Sequence, residues 1–262
     1  MFWYNGGLVA GNTLEVAIDD PGLLYGATVF TTMRVYQHSL DSRLTNWTAH
    51  CDRLSASLQA FDWHWPNWAQ VKLGASSMLQ HYPILRITLF PDGREWITGR
   101  DLPADLTQAQ KHGKAAYIVE LARSLAAHKT GNYLSAWLAQ NLAKKHSAQE
   151  AILVDSITGE WLETNTGNLW GWKDGFWWTP PLNAGILPGI MRSQLIEWLQ
   201  AQNLEVKQVP WNSEVVKGFE MICYSNSVVQ IMPISAIASP PTQSHYNPQH
   251  PALKILQGLF VD

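Results

Sequence analysis

Lys129 lies in the stretch Ala127-His-Lys-Thr-Gly-Asn-Tyr-Leu134, after the apolar run Ala115-Ala-Tyr-Ile-Val-Glu120 and before a segment where Leu134, Trp137, Leu138 and Leu142 recur at helical spacing. The run predicts a strand and the segment a helix, so this lysine falls at a strand-to-helix junction. An amine that has to act as a nucleophile gains from such a place, because burial and nearby positive charge favour its neutral form. Taken alone, a lysine is more often a solvated surface charge. Arg53 shares one side of an expected helix with His50. It is either a solvated helix charge or a phosphate ligand, since its planar fork of donors suits phosphate oxygens. Arg34, in the middle of an expected strand, is either exposed or a pocket cation for an anionic substrate. Glu163, followed by Thr164-Asn-Thr-Gly167 and then Asn168, reads by itself as an exposed acid at a strand end. Gly189 precedes a helix start at Ile190-Met-Arg192, where backbone N–H groups and the helix dipole make a ready phosphate site. Ser225-Asn-Ser227 offers hydroxyl and amide donors to a phosphate, or simply a turn.

The elements that must hold these groups follow from the pattern. Phe2-Trp-Tyr, Asn5-Gly6-Gly7 and Leu8-Val9 spell a hairpin, and Phe30 to Tyr36 is rich in strand formers. Asn46 caps a helix whose stripe is Trp47, Leu54, Leu58 and Phe61, and a second helix covers Asn67 to Gln80. Ile84 to Phe90 reads as a buried strand that turns at Pro91-Asp-Gly93 into Arg94 to Thr98. The apolar content then drops, which places a linker at 103–113 between a small α+β domain at 1–102 and a larger α+β domain at 114–262 that carries Lys129. In the second domain Glu150 to Asp155 is a strand, and Glu160–Glu163, Leu169–Trp172 and Phe176–Thr179 form a meander. Leu204 to Val209 and Phe219 to Tyr224 are further strands, Ser213 caps a short helix, Ser239 to Pro251 is a Pro-rich loop, and Ala252 to Phe260 closes the chain as a helix.

Composition narrows the function. With 262 residues, a formal net charge of -3 and scattered basic residues, the chain shows no electrostatic footprint for nucleic acid or an anionic membrane. No apolar run spans a bilayer, and the start lacks the basic and apolar regions of a secretory signal, so a cytoplasmic protein is expected. Cys51 and Cys223 are far apart, and neither they nor the histidines have metal-ligand spacing, so no metal is expected. The 14 tryptophans leave open an aromatic platform for sugars or bases. The better expectation is that Trp63, Trp65, Trp68, Trp170, Trp172, Trp177 and Trp178 fill cores and a subunit interface.

Several segments, taken in order, carry a resemblance: Tyr25-Gly with Phe30, His50-Cys-Asp-Arg53-Leu54, Lys129-Thr-Gly-Asn-Tyr133, Glu163 with Asn168, Thr179-Pro180-Pro181, Leu187-Pro-Gly-Ile-Met-Arg192, and Asn226-Ser227 with Met232-Pro-Ile234. Over nearly the whole chain this set resembles the class IV aminotransferases, the fold type IV enzymes that use pyridoxal 5'-phosphate. The resemblance implies a two-domain α+β fold of the D-amino acid aminotransferase kind, a small-molecule substrate and a homodimer. It also implies that Lys129 is the Schiff-base lysine, Arg53 a phosphate ligand and Glu163 the partner of the pyridine nitrogen. Ile190 and Met191 would then give backbone N–H groups, and Ser227 with Asn226 side-chain donors, to the cofactor. Phe30, Thr32, Arg34 and Arg192 would be the substrate candidates. Within the family, Phe30-Thr-Thr-Met-Arg-Val35, Gly189-Ile-Met-Arg192 and the Lys129-to-Asn132 spacing are most similar to the 4-amino-4-deoxychorismate lyases. That implies elimination of pyruvate to leave 4-aminobenzoate, a step of folate biosynthesis, with transamination of branched-chain or D-amino acids as the alternative. Ala27-Thr28 and Gln230 depart from the family's pattern, at positions that bear on substrate contacts.

Overall fold

Asn5 and Gly6 take φ values of 44° and 84°, which lets two residues close the turn between β1 (Phe2–Tyr4) and β2 (Gly7–Val9). In the computed structural model, which describes residues 1–239 and 242–261, this hairpin opens the first of two compact units. That unit comprises Met1–Pro103 together with His128–Tyr133; the second comprises Ala104–Ala127 and the chain from Leu134 onward.

The first unit continues through α1 (Pro21–Leu24), β3 (Val29–Arg34), α2 (Trp47–Ala60), α3 (Trp68–Met78), β4 (Ile84–Leu89) and β5 (Glu95–Arg100). Its antiparallel sheet runs in the order β2-β1-β5-β4-β3. Asn46, in the left-handed region at φ 51°, caps α2 through its side chain, and Asn67 caps α3 in the same way. The two helices bury Leu54, Leu58, Val71, Ala75 and Met78 against Met33, Leu85, Ile87 and Ile97 of the sheet. Glu95 Oε1 pins the amino-terminal hairpin by accepting from Trp3 Nε1 at 2.9 Å and from the Gly6 N–H at 2.6 Å.

β3 is the edge strand, and its outer side is taken by the lysine segment. Val29 and Thr130 form an isolated bridge, Phe30 N–H donates to Lys129 O at 2.8 Å, and Gly131 N–H donates to Thr28 O at 2.6 Å. The expectation that the lysine belongs with the second domain is therefore corrected, because these edge hydrogen bonds join it to the first sheet.

In the second unit, the stretch expected as a linker forms α4 (Leu106–His112), which buries Leu106. Then come β6 (Lys114–Glu120), α5 (Leu134–Lys145), β7 (Glu150–Val154), β8 (Trp161–Thr164), β9 (Asn168–Lys173) and β10 (Phe176–Thr179). α6 (Ile190–Ala201), β11 (Val206–Gln208), α7 (Ser213–Lys217), β12 (Met221–Asn226), β13 (Gln230–Ser239), β14 (Thr242–His245) and α8 (Leu253–Gln257) complete it. The sheet path is β11-β10-β9-β12-β13-β6-β7-β8, with β14 on β13. A bridge between Trp161 and Trp211 brings the two ends of this path together, so the sheet curls.

Other expectations are corrected here. β8 pairs with β7 while β9 pairs with β10 and β12, so the three strands are not one meander. Asn212, not Ser213, caps α7. Part of the Pro-rich stretch is strand β14, and Pro240 and Pro241 lie outside the described residues. The period of α5 is helical as expected, but the buried face is Ala136, Ala139 and Ala143, while Leu134, Trp137, Leu138 and Leu142 are exposed. Small alanines let the helix axis approach β6 and β7 closely, where leucine and tryptophan would hold it off. Trp170, Trp177 and Trp211 are fully buried, whereas Trp65 and Trp137 are 57% and 60% exposed. No helix among the described residues is long and apolar enough to cross a membrane.

Candidate active site

Strand alternation sorts the β3 candidates onto two faces. Phe30, Thr32 and Arg34 share one face, and Thr32 stands opposite Arg86 in the register with β4. Because the Lys129 segment runs along this edge, its side chain reaches the same face. Lys129 Nζ donates to Tyr133 Oη at 3.1 Å and lies 4.7 Å from the Phe30 ring centroid. The Arg86 guanidinium sits 3.6 Å from that centroid, and Tyr133 meets Phe30 edge-on at 5.5 Å. Two cations and a phenol are thus gathered around one buried aromatic ring. Arg86 is half-buried, and among the described residues no carboxylate pairs with it; beside the Phe30 ring its side chain has a hydrogen bond to Thr88 Oγ1 at 3.4 Å. Burial pulls its pKa down, against an attraction to the Tyr133 oxygen. Arg34 is turned toward its own strand end, with its guanidinium 5.0 Å from the Tyr36 ring.

The other face of β3 presents Thr31 to α2. Arg53 Nη2 donates to Thr31 Oγ1 at 2.7 Å, and Thr31 Oγ1 is 2.5 Å from His50 Nδ1. Burial, with the positive charges of Arg53 and Lys129, holds the His50 pKa well below the ordinary imidazole value. His50 is therefore neutral at physiological pH.

The second unit assembles a separate group around Glu163, which is 4% exposed. Its Oε1 accepts from Arg123 Nε at 2.8 Å and Nη2 at 2.5 Å, a buried ion pair. Its Oε2 accepts from the Leu187 N–H at 3.2 Å and from Asn168 Nδ2 at 3.4 Å. Asn168 Nδ2 also donates to Leu187 O at 2.9 Å, so the loop before α6 is tied to the acid. The expectation of an exposed strand-end acid is corrected, because β8 is buried along its whole length.

Gly189 is the N-cap of α6 and gives it no side-chain cap; Ile190 and Met191 in the first turn are buried. A Cβ at Gly189 would run into Asn168 Oδ1, so glycine is required there by the same asparagine that braces Glu163. Arg192 is buried and donates through Nη2 to Pro180 O at 3.0 Å and Gln208 Oε1 at 2.8 Å. In the turn after β12, Asn226 Oδ1 accepts from the Val228 and Val229 N–H groups, both at 2.9 Å, and Ser225 Oγ accepts from Trp170 Nε1. Ser227 is half-buried in that turn and makes no side-chain hydrogen bond among the described residues.

Reading the sequence missed Arg86, Tyr133, Arg123 and Thr31 as site residues. Arg86 had a signal: a lone arginine inside the apolar strand Ile84 to Phe90. Arg123 had none, since only the fold brings it against Glu163.

Residues 28–237 match the family described as Amino-transferase class IV, and the chain belongs to that family. The aminodeoxychorismate lyase of Vibrio harveyi is 24% identical over 259 residues, covering 92% of each chain. A D-alanine aminotransferase of Listeria innocua is 26% identical over 256 residues, covering 89% of this chain and 86% of that protein. Among solved structures, the PLP-bound form of a hypothetical aminotransferase from Mycobacterium tuberculosis superposes with a TM-score of 0.86 at 17% identity, over 99% of this chain and 96% of that one. The fold is that of fold type IV enzymes, and the family's cofactor is pyridoxal 5'-phosphate.

Proposed function

We propose that this protein is a pyridoxal-phosphate-dependent lyase that splits 4-amino-4-deoxychorismate into 4-aminobenzoate and pyruvate. The observation that carries the reading is the Lys129 cluster: an amine hydrogen-bonded to a phenol and set beside a half-buried arginine that pairs with no carboxylate among the described residues. That arrangement suits a base working on an amine substrate that bears a carboxylate. The Vibrio harveyi relative, aligned over 92% of both chains, supports the lyase in particular.

The residues present fit the cofactor. Glu163, held ionised-pair fashion by Arg123 and oriented by Asn168 and Leu187 N–H, suits a protonated pyridine nitrogen. The α6 amino terminus, with no side-chain cap, and Arg53 suit a phosphate dianion. In the second unit the Ser227 hydroxyl also suits a phosphate, while Asn226 acts by shaping the turn that presents it. When bound, the cofactor supplies an electron sink for the carbon next to the substrate nitrogen. Lys129 then removes the proton from that carbon, and Tyr133, by accepting from Nζ, holds the amine's direction. Arg86 binds a substrate carboxylate, with Phe30 and Thr32 flanking it. Arg34, turned to Tyr36, and Arg192, tied to Pro180 and Gln208, are left as scaffold. The six-membered ring of the substrate becomes aromatic as the enolpyruvyl group departs, so the residues need only orient the breaking bond and move one proton.

A second reading, transamination of a D-amino acid, is favoured by the Listeria innocua relative, aligned over 89% of this chain. The two part on one assay. Release of 4-aminobenzoate and pyruvate with no keto acid present supports the lyase. Conversion of D-alanine only when a keto acid is supplied, with no 4-aminobenzoate formed, overturns it. Borohydride reduction followed by peptide mass spectrometry should find the cofactor mass on Lys129 and none in Lys129→Ala.

A further inference from the structure

The hydrogen-bond pattern around Thr31 fixes where each proton lies. Thr31 is completely buried, and its hydroxyl oxygen already accepts from Arg53 Nη2 at 2.7 Å. The same oxygen is 2.5 Å from His50 Nδ1, and one hydrogen must lie between them. If Nδ1 carried it, the Thr31 hydroxyl hydrogen would need a third partner, and the described residues offer none; a buried donor left unmade is costly. The Thr31 hydroxyl therefore donates to Nδ1, and His50 is the neutral tautomer protonated at Nε2. A threonine oxygen whose hydrogen is turned to histidine has its lone pairs turned to the arginine. Pinned at Nη2, a planar guanidinium has lost most of its freedom to rotate out of place.

We propose that His50 and Thr31 are positioning residues for Arg53: the imidazole orients the hydroxyl, and the hydroxyl orients the guanidinium for the cofactor phosphate. The inference rests on the reading of Arg53 as a phosphate ligand. Neither residue touches the reacting atoms. The order of the relay, histidine to threonine to arginine, follows from α2 presenting His50 and Arg53 on one side, toward the β3 face that carries Thr31.

The test compares equilibrium binding of pyridoxal 5'-phosphate with that of pyridoxal, which lacks the phosphate, by absorbance titration of the apoprotein. Thr31→Val should weaken binding of the phosphate form roughly tenfold, the effect of one hydrogen bond to a charged group, and leave pyridoxal within about twofold. Thr31→Ser should restore the wild-type ratio. His50→Asn, which keeps an acceptor near the Nδ1 position, should also retain it, and His50→Leu should lose it, which gives the same comparison if Thr31→Val does not fold. Nitrogen-15 spectra of the histidines should show His50 unprotonated at Nδ1. Equal weakening of both ligands, or a proton on His50 Nδ1, overturns the relay. Arg53→Ala separates the underlying reading: if it does not discriminate between the two aldehydes, Arg53 is not the phosphate ligand and that reading fails first.

Discussion

At the scale of single residues, the second unit contains a buried acid that no proposed step uses. Glu150 is 2% exposed and accepts from Thr166 Oγ1 at 2.6 Å. Burial raises its pKa, against the Thr166 hydrogen bond and the Lys114 charge, which lower it. The unfolded chain releases this proton near the ordinary value of about 4.3, while the folded chain keeps it to higher pH. Across that window the folded state binds more protons, so stability is full below the unfolded value and falls as pH rises through the folded one. Glu150→Gln should therefore remove part of the decline in stability above about pH 4.3. Urea midpoints of both proteins, measured across the window, check it; parallel slopes would show that Glu150 titrates as it does in the unfolded chain.

At the scale of elements, α3 and the amino-terminal hairpin meet at Gly74. A Cβ added there would fall 2.6 Å from the Trp3 indole, and that indole is held by its hydrogen bond to Glu95. Replacing a helix-interior glycine with alanine gains about 1 kcal/mol of propensity. Forcing an extra methyl against a fixed ring costs about 1–3 kcal/mol. The contact should win, so Gly74→Ala is expected to lower stability by about 1 kcal/mol, read from chemical unfolding. A rise in stability would mean that the indole can shift. The cap at Asn46 was legible from residue type alone, because a short amide at a helix start has little else to do, whereas Asn67, expected inside its helix, is the cap before it. The exposed stripe of α5 was not, since periodicity states that a helix has two faces but not which one meets the sheet.

At the scale of the whole molecule, a cofactor that binds only the folded chain must stabilise it by mass action. Pyridoxal 5'-phosphate at a hundred times its dissociation constant should add about 2.7 kcal/mol. The gain should shrink sharply in Lys129→Ala, which lacks the amine proposed to hold the aldehyde. Thermal unfolding of the apoprotein with and without the cofactor measures it, and an unchanged midpoint in the wild type would contradict the proposed cofactor.

What residue order alone determined was the inventory: the family, the strand and helix periods, and the lysine, arginine and glutamate proposed for the cofactor. Those signals are local, carried by spacing within one element or one turn. What tertiary structure decided was neighbourhood. Lys129 left the domain its sequence position suggested because β3 had an unpaired edge whose N–H and C=O groups required partners, and the lysine segment supplied them. Glu163 turned from a surface acid into a braced, buried one because Arg123 and Leu187, distant along the chain, converge on it. Hydrogen bonds between residues far apart in the chain depend on how the sheets curl, and no window of sequence contains that geometry.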